Sequence, residues 1–378
     1  MINRILKKQI IKRFFSGKAL IIQGPRQSGK TTLAQDILND MGSSKEVRIF
    51  NCDNPTDREL LENRDINFLK QLVGKANLVF IDEGQKVVSL GQTLKLLVDH
   101  YKKNIQIIVT GSSSIEMSNL IQEALTGRKH TYTLLPFSIE ERHSDQNMVE
   151  ISKDLETLLL FGMYPEVTLQ PSFEEKIELL SELHSSYLYK DVLQYQNIKR
   201  PELIQKLTKA LALQIGSEVS LSELSNLLGI DKKTVERYVD LLEKSFVVFR
   251  LPPFSRNKRR EISKTKKIFF YDLGIRNAII NNFNLLESRN DSGALWENFV
   301  IVERMKYRIN HRVYSDQYFW RTFDGSEVDL IEERDGRLFG YELKWNIRRK
   351  SRRPVKWLEY PGSSHQIITP KDLPGFLF

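Results

Sequence analysis

Residues 24–31, GPRQSGKT, match the pattern G-x-x-x-x-G-K-[ST], which is typical of a phosphate-binding loop between a strand and a helix. The glycines of this pattern let the backbone curl, so that several N–H groups point inward at phosphate oxygens. Lys30 is placed to reach the β- and γ-phosphates, and Thr31 to offer a hydroxyl ligand to Mg²⁺. An apolar strand pattern, ALIIQ, precedes the loop and a helical pattern, TTLAQ, follows it, as the motif requires.

The loop predicts a site for a nucleoside triphosphate, with ATP and Mg²⁺ as the expected ligands. At average composition, a chain of this length contains the pattern by chance in only ~1% of cases. The helix after the loop adds the positive end of its dipole to the anion site. The predicted nucleotide-binding residues are Gly24, Pro25, Arg26, Gln27, Ser28, Gly29, Lys30, Thr31 and Thr32.

A second motif, VFIDE at residues 79–83, is an apolar strand that ends in two carboxylates. It follows the loop at a distance normal for a partner motif. We expect Asp82 to hold Mg²⁺, largely through water, and Glu83 to polarise the water that attacks the γ-phosphate. A helix N-cap is the structural alternative for an Asp-Glu pair in this position.

Apolar segments alternate with amphipathic stretches over the first 145 residues, which predicts an α/β domain. Continuously apolar strands are typical of a parallel sheet that is buried on both faces. The predicted strands are 19–24, 47–53, 77–83, 105–112 and, near the end, 131–137.

Two further features are candidates for the catalytic machinery. Small polar residues end the fourth strand, where a hydroxyl could sense the γ-phosphate; Thr110, Ser112 and Ser113 are all candidates. Arg128 could supply positive charge to the transition state, within its own subunit or to a neighbouring one. A surface salt bridge is the alternative for Arg128.

The pattern changes to short helices after residue 200. Ser220 and Glu223 form an S-x-x-E capping box, and Asp231 can cap the helix that follows. The predicted elements follow the order of a winged helix-turn-helix: helices, a tight Gly turn, another helix, and two strands around a basic loop. Its recognition helix would be 232–243, with Lys232, Lys233, Thr234 and Arg237 outward and Glu236 and Asp240 opposing DNA. An ATPase lid or a protein-docking winged helix is the alternative.

Charge and composition predict a cytoplasmic protein with two basic clusters, for which contact with nucleic acid and solvated surface loops are the alternatives. The net charge is +9, and basic residues cluster at 256–267 and 348–356, which would attract the phosphates of nucleic acid, with DNA as the expected partner. Cys52 is the single cysteine, so disulfide frameworks and multi-cysteine metal clusters are excluded. No apolar run is long enough to span a bilayer, and the first residues predict an amphipathic helix rather than a signal peptide.

These residues together resemble the AAA-type P-loop ATPases of bacteria and archaea that carry a C-terminal domain of uncharacterised function. The matching stretches span nearly the whole chain and include GPRQSGKTTL, VFIDEGQK, VTGSSS, LLPFSIEE, FFYDLGIRN and LWENFVIVE. The resemblance implies an AAA module, a winged helix and a C-terminal fold like that of restriction endonucleases. AAA modules often form rings, so a homo-oligomer is consistent with the resemblance. The match departs at GMYP (162–165), where the family has a Gly-Gly pair.

The predicted domains are a P-loop AAA core (1–145), a helical lid or connector (146–198), a winged helix (199–280) and a small restriction-endonuclease-like α/β domain (285–378).

The last domain carries a candidate second metal site. Asp329, followed by Glu342 and Lys344 in an E-x-K triplet, resembles the PD-(D/E)xK nuclease core, in which two carboxylates hold Mg²⁺ and a lysine activates water. Side chains alternate along a strand, so Glu342 and Lys344 share a face, as do Glu327 and Asp329. Glu297 and Glu303 are candidates for an additional acidic residue, and the resemblance favours Glu297. Retention of this fold as a binding module is the alternative.

Three hypotheses follow for function. The first is a DNA-associated, Mg²⁺-dependent ATPase that couples hydrolysis to a conformational change. The second is an ATP-regulated nuclease that uses the E-x-K site. The third is a nucleotide switch that captures a protein partner.

Overall fold

The computed structural model describes most of the chain. It covers residues 2–41, 45–112, 124–143, 148–194, 200–255, 265–322, 324–346 and 354–377, without the side chains of 186–194. The chain divides into two compact units. One comprises Met1–Phe137 with Lys244–Phe246, and the other comprises Ser138–Glu243 with Val247–Phe378.

A five-stranded parallel sheet forms the centre of the first unit, and its strand order is β2-β3-β4-β1-β5. The predicted α/β class and parallel sheet are therefore confirmed. Strand β4 separates the strand that precedes the phosphate loop from the strand that ends at Asp82. The strands are β1 (Ala19–Gln23), β2 (Val47–Asn51), β3 (Leu78–Asp82), β4 (Gln106–Gly111) and β5 (Lys129–Thr133).

Helices cover both faces of this sheet, which explains why its inner strands are apolar throughout. Ile21 belongs to one buried cluster, whereas its neighbours Leu20 and Ile22 belong to another. Because successive side chains of a strand point to opposite faces, these are the cores on the two sides of the sheet. The helices are α1 (Ile5–Ile11), α2 (Lys30–Asp40), α3 (Pro55–Leu61), α4 (Ile66–Val73) and α5 (Leu90–Tyr101).

The second unit begins with helices and a small antiparallel sheet of order β6-β8-β7. Both predicted N-caps form: the Ser220 hydroxyl accepts from Glu223 N at 3.3 Å, and Asp231 Oδ1 accepts from Thr234 N at 2.9 Å. Of the predicted capping box at Ser220, the described contacts include only this first bond and not the reciprocal one to the Glu223 side chain. The basic loop at 256–264 lies outside the described residues. The elements are α6 (Ile139–Arg142), α7 (Met148–Phe161), α8 (Pro165–Leu169), α9 (Phe173–Gln194), α10 (Pro201–Leu213), β6 (Glu218–Val219), α11 (Leu221–Leu228), α12 (Lys232–Lys244), β7 (Val248–Leu251) and β8 (Lys266–Phe270).

A four-stranded mixed sheet of order β12-β11-β10-β9 forms the C-terminal part of this unit. Strand β12 runs parallel to β11, and the other pairs are antiparallel. The sequence of β12, SSHQII, is mostly polar, so the apolar pattern does not predict it. The elements are α13 (Leu273–Ile280), α14 (Ser292–His311), β9 (Asp316–Arg321), β10 (Glu327–Arg334), β11 (Arg337–Leu343), α15 (Val355–Leu358), β12 (Ser363–Ile368) and α16 (Leu373–Leu377).

The departure from the family at residues 162–165 is accommodated by the backbone. Gly162 has φ 69°, and a Cβ there would lie 2.0 Å from Oδ1 of Asp272. The next residue, Met163, donates its N–H to Asp272 Oδ2 at 2.7 Å and keeps its own side chain buried. Only the first position of the Gly-Gly pair is therefore sterically closed to a side chain.

Among the described residues, no helix combines the length and apolar character required to cross a membrane.

Candidate functional site

The phosphate loop connects β1 to α2 in the curled conformation that its glycines permit. Gly24 has φ 155°, and a Cβ on it would lie 2.1 Å from the carbonyl oxygen of Leu134. Gln27 and Gly29 have φ values of 54° and 88°. Alternation of left- and right-handed residues turns successive N–H groups to one side, which creates a concave anion site.

Lys30 begins α2 and directs its side chain back over the loop. Its Nζ donates to the carbonyls of Gly24 at 3.1 Å and Pro25 at 2.6 Å, and the residue is 5% exposed. The ammonium group is thus held beside the curled backbone. Of the other predicted nucleotide-binding residues, Ser28 is buried, Arg26 is half-buried, and Gln27 and Thr32 are exposed.

Thr31 and Asp82 meet at the carboxyl ends of β1 and β3. The Thr31 hydroxyl lies 3.0 Å from both carboxylate oxygens of Asp82, and the buried hydroxyl of Thr110 also donates to Asp82. A hydroxyl and a carboxylate are oxygen ligands of the kind that Mg²⁺ selects, and Mg²⁺ takes its remaining ligands from water and substrate phosphates. These residues therefore fit the expected ion.

Glu83 sits at a backbone turn immediately after the strand. Its φ is 51°, in the left-handed region that a residue of this type seldom adopts. Its N–H donates to the Thr110 hydroxyl at 3.4 Å, and Ser112 Oγ donates to its Oε2 at 3.5 Å. Two of the three hydroxyl candidates, Thr110 and Ser112, therefore contact the carboxylates of Asp82 and Glu83. The third, Ser113, lies outside the described residues.

Two further residues at this site were missed by the sequence analysis. The buried amide of Gln85 donates to both Glu83 and Ser112. Arg4 Nη2 donates to the carbonyls of Ser28 and Leu135. Gln85 lay within the quoted VFIDEGQK stretch, whereas Arg4 lies in an ordinary basic-apolar pattern and carries no local signal.

The structure contradicts a role for Arg128 at the phosphates of its own subunit. Arg128 directly precedes β5, and its carbonyl accepts from Ala19 N at the start of β1. The loop follows the opposite end of β1, roughly 15 Å away at the usual rise per strand residue. Arg128 instead pairs with Asp99, Nε to Oδ1, on the protein surface. Among the described residues, Arg128 therefore forms the surface salt bridge that was the expected alternative.

The residues of the E-x-K site converge on one sheet. Lys344 Nζ lies 3.0 Å from Glu342 Oε1. Asp329 faces the same strand, since its Oδ2 accepts from Leu343 N at 2.8 Å. Burial by itself lowers the pKa of Lys344, but Asp329, Glu342 and Glu297 outweigh this effect and raise it above its ordinary value. The predicted juxtaposition of these side chains is therefore present.

A second lysine enters this cluster from β8. Lys267 Nζ lies 2.9 Å from Glu297 Oε1 and 2.6 Å from Glu327 Oε1, and its side chain is 4% exposed. Burial disfavours the ammonium form, but the charges of Glu297, Asp329 and Glu327 outweigh that effect and raise the pKa of Lys267 above its ordinary value. Lys267, predicted to belong to a nucleic-acid-binding cluster, is instead a buried ion-pair partner.

The carboxylates of this cluster already have ammonium partners. Two ammonium groups face four carboxylates here, and among the described residues no group of three or more acidic, histidine or cysteine side chains is placed to hold a metal. The assignment of Asp329 and Glu342 as metal ligands therefore stays a prediction. Glu303 is not part of the cluster, because its Oε2 accepts from Ile139 N and its Oε1 pairs with Lys306, both at 2.7 Å.

The predicted recognition helix α12 is accessible. Lys232, Lys233 and Arg237 are exposed. Asp240, which weighs against DNA binding, is paired with Arg250. Of the predicted basic clusters, residues 256–264 and 347–353 lie outside the described residues; Lys356 is exposed and pairs with Asp324 at 2.7 Å.

Comparison with protein families identifies three matches along the chain. Residues 16–143 match a family described as an AAA domain. Residues 292–372 match a domain of unknown function, DUF4143, and residues 152–286 match another, DUF8612. The first match contains the loop and the Asp82-Glu83 pair. An AAA domain followed by a C-terminal domain of uncharacterised function is therefore confirmed.

Similar proteins occur in bacteria and archaea and are described as uncharacterized. One from Mycobacterium tuberculosis is 28% identical over 327 residues, which is 86% of this chain and 70% of the relative. Another from Methanocaldococcus jannaschii is 25% identical over 393 residues, which is 98% of this chain and 86% of the relative. The similarity extends over most of this chain, and the descriptions of these relatives state no activity.

Similar solved structures include AMPPCP-bound DnaA from Aquifex aeolicus, with a TM-score of 0.27 and 15% identity over 68% of this chain and 88% of that one. Pif1 helicase from Candida albicans has a TM-score of 0.28 and 13% identity over 49% and 48%.

Proposed function

We propose that this protein is an Mg²⁺-dependent ATPase of the AAA type. The observation that carries the proposal is the meeting of Thr31, Asp82 and Glu83 beside the curled loop of residues 24–31. The match of residues 16–143 to an AAA domain supports it.

The reaction is hydrolysis of ATP to ADP and inorganic phosphate. The water oxygen forms a bond to the γ-phosphorus, the bond to the bridging oxygen of ADP breaks, and Glu83 takes the proton that the water loses. The loop N–H groups and Lys30 stabilise the negative charge on the phosphates. Mg²⁺, held by Thr31 and through water by Asp82, would add positive charge beside the β- and γ-phosphates.

Two substitutions separate binding from hydrolysis. Lys30→Ala removes the ammonium beside the loop and is expected to abolish ATP binding or turnover. Glu83→Gln keeps the phosphate cradle and is expected to bind ATP but lose most of its hydrolysis, because the carboxylate that orients water is gone. Lys70→Ala, an exposed lysine on α4, is the control and should behave as wild type. Turnover by Glu83→Gln at the wild-type rate would disprove the role of Glu83.

We further propose that the protein acts in the cytoplasm and that DNA is its partner. ATP hydrolysis would then drive a conformational change. Two observations support DNA binding. Cations on α12 are exposed, and the elements from α10 to β8 follow the order of a winged helix. The ATPase rate with and without duplex DNA tests it. Stimulation that Lys232→Ala with Lys233→Ala removes would support DNA coupling, whereas turnover indifferent to DNA would oppose it.

A nuclease is the second candidate, because Asp329, Glu342 and Lys344 lie together at the C-terminal four-stranded sheet. The ion pairs of Lys267 with Glu297 and Glu327 oppose it, so we favour retention of this fold for binding rather than cleavage. A plasmid-nicking assay with Mg²⁺ or Mn²⁺ decides, with Lys344→Ala as control. Cleavage lost in Lys344→Ala would establish the nuclease. Tight nucleotide retention without turnover would instead favour the nucleotide-switch hypothesis.

A further inference from the structure

Gln85 is a buried polar side chain beside the carboxylate that is expected to activate water. It belongs to a short 3-10 turn, Gly84–Lys86, directly after Glu83. It is 7% exposed. A solvated turn residue would not need this burial, so the position calls for a chemical explanation.

Gly84 explains how Gln85 reaches this place. A Cβ on Gly84 would lie 2.6 Å from Val109 Cγ1 and 2.9 Å from Leu90 Cδ2. The missing side chain lets the turn pack directly against β4. Gln85 is thereby brought beside Ser112, the residue that follows this strand.

The amide nitrogen of Gln85 uses both of its hydrogens at the site. Nε2 donates to Glu83 Oε2 and, at 2.9 Å, to Ser112 Oγ. Which end of a glutamine amide is nitrogen is assigned from such contacts. Here the charge of Glu83 decides the assignment, because a carboxylate accepts hydrogen bonds and would repel the amide oxygen.

The amide oxygen is left as an acceptor in a buried position. Among the side chains that the structure describes, Gln85 Oε1 makes no hydrogen bond. Buried polar atoms of proteins nearly always have a partner, and a lone one marks a place for a polar ligand or a water. A water molecule that donates to Glu83 has a second hydrogen, which needs an acceptor of its own.

We propose that Gln85 is a positioning residue for ATP hydrolysis, holding Glu83 through Nε2 and accepting the second hydrogen of the attacking water through Oε1. With both hydrogens engaged, a lone pair of the water is free to face the γ-phosphorus. Ser112 is the third member of the arrangement, because it accepts from Gln85 and donates to Glu83. This proposal rests on the ATPase function proposed above.

The test is a kinetic cycle of Gln85→Met and Glu83→Gln, separately and together. Methionine matches glutamine in length and packing but cannot make these hydrogen bonds. Gln85→Met should lower kcat by on the order of 100-fold, with KM for ATP changed less than about twofold, because it misplaces water without touching the phosphate loop. In the Glu83→Gln background the same change should cost less than about twofold, since both residues act on one water. Gln92→Met, on exposed α5 surface, is the control.

A second variant, Gln85→Glu, keeps the length of the side chain and guards against failure of Gln85→Met to fold. A carboxylate beside Glu83 favours its protonated form, so the acid limb of the kcat profile should move to higher pH. Three results would each overturn the proposal and leave Gln85 a packing residue. The first is an acid limb of Gln85→Glu at the wild-type pH, and the second is a kcat of Gln85→Met within twofold of wild type. The third is an equal loss of kcat on Gln85→Met substitution in the wild-type and Glu83→Gln backgrounds. Absence of turnover in wild-type protein would instead contradict the ATPase function itself.

Discussion

At the scale of single residues, the phosphate loop depends on a glycine that no other residue can replace. Gly24 adopts φ 155°, and its Cα faces the backbone carbonyl of Leu134 so closely that a Cβ would lie 2.1 Å from the oxygen. Backbone atoms cannot move aside as a flexible side chain can. The loop must therefore shift if this position gains even a methyl group.

Gly24→Ala is accordingly expected to weaken ATP binding at least tenfold while Lys30 and Thr31 stay in the chain. Titration of nucleotide in the presence of Mg²⁺ measures the effect. Gly127→Ala is the matched control, because Gly127 also has positive φ, 76°, but a Cβ there meets nothing within 4 Å. Equal affinities for Gly24→Ala and wild type would show that the loop is not held as described.

Residue chemistry could be predicted from sequence only where it forms a local motif. Lys30, Thr31, Asp82 and Glu83 are recognisable because spacing and strand context accompany them. Arg4 reaches Ser28 and Leu135 across the fold, so its contacts depend on tertiary packing that no local pattern encodes.

At the scale of elements, β8 is joined to the C-terminal sheet by a buried ion-pair cluster. Lys267 on β8 contacts Glu297 of α14 and Glu327 of β10. Loss of one partner from such a cluster leaves a buried charge uncompensated, which costs about 3–5 kcal/mol. Removal of Lys267 is therefore expected to destabilise the second unit.

Lys267→Ala should lower the free energy of unfolding by about 3 kcal/mol or more near neutral pH. Burial raises the pKa of Glu297 and Asp329, so these carboxylates favour folding when protonated and oppose it as pH rises through their folded-state pKa values. Lys267 lowers the pKa of Glu297, which burial raises to about 8, and without Lys267 that pKa would be higher still. The deficit relative to wild type should therefore grow as pH rises through about 8 in denaturant titrations. Lys266→Ala, a half-buried neighbour on the same strand, is the control. A deficit that is small, or that shrinks as pH rises, would contradict the ion-pair account.

Elements with a clear apolar or capping pattern could be predicted from sequence, and others could not. The strands of the parallel sheet and the caps at Ser220 and Asp231 follow local rules. Strand β12 is mostly polar and pairs with β11 through its backbone, so its existence depends on a neighbour distant in sequence. Strand order likewise depends on tertiary packing, so the sequence alone could not decide between a catalytic role and a surface salt bridge for Arg128.

At the scale of the whole molecule, the position of Arg128 bears on assembly. Its guanidinium pairs with Asp99 at the end of the sheet opposite to the loop, so it can reach a phosphate only in a neighbouring subunit. We expect the surface salt bridge to be its role, and Arg128→Ala to keep kcat within about twofold of wild type, because exposed pairs contribute little.

A mixing experiment tests the opposite possibility, that Arg128 acts on the ATP of a neighbouring subunit. If Arg128→Ala lost activity and regained it on mixing with Lys30→Ala protein, each variant would supply what the other lacks. That result would establish a ring or dimer in which Arg128 acts on the ATP of a neighbour.

We expect residues 24–31 to cradle a triphosphate beside Asp82 and Glu83. Calorimetric titration of the purified chain with ATP and Mg²⁺ tests it most directly, with Lys30→Ala and Lys70→Ala measured in parallel. We predict saturable binding by wild type and Lys70→Ala and a loss of at least tenfold in affinity for Lys30→Ala. Wild-type protein that showed no saturable affinity for ATP or ADP with magnesium present would contradict the account.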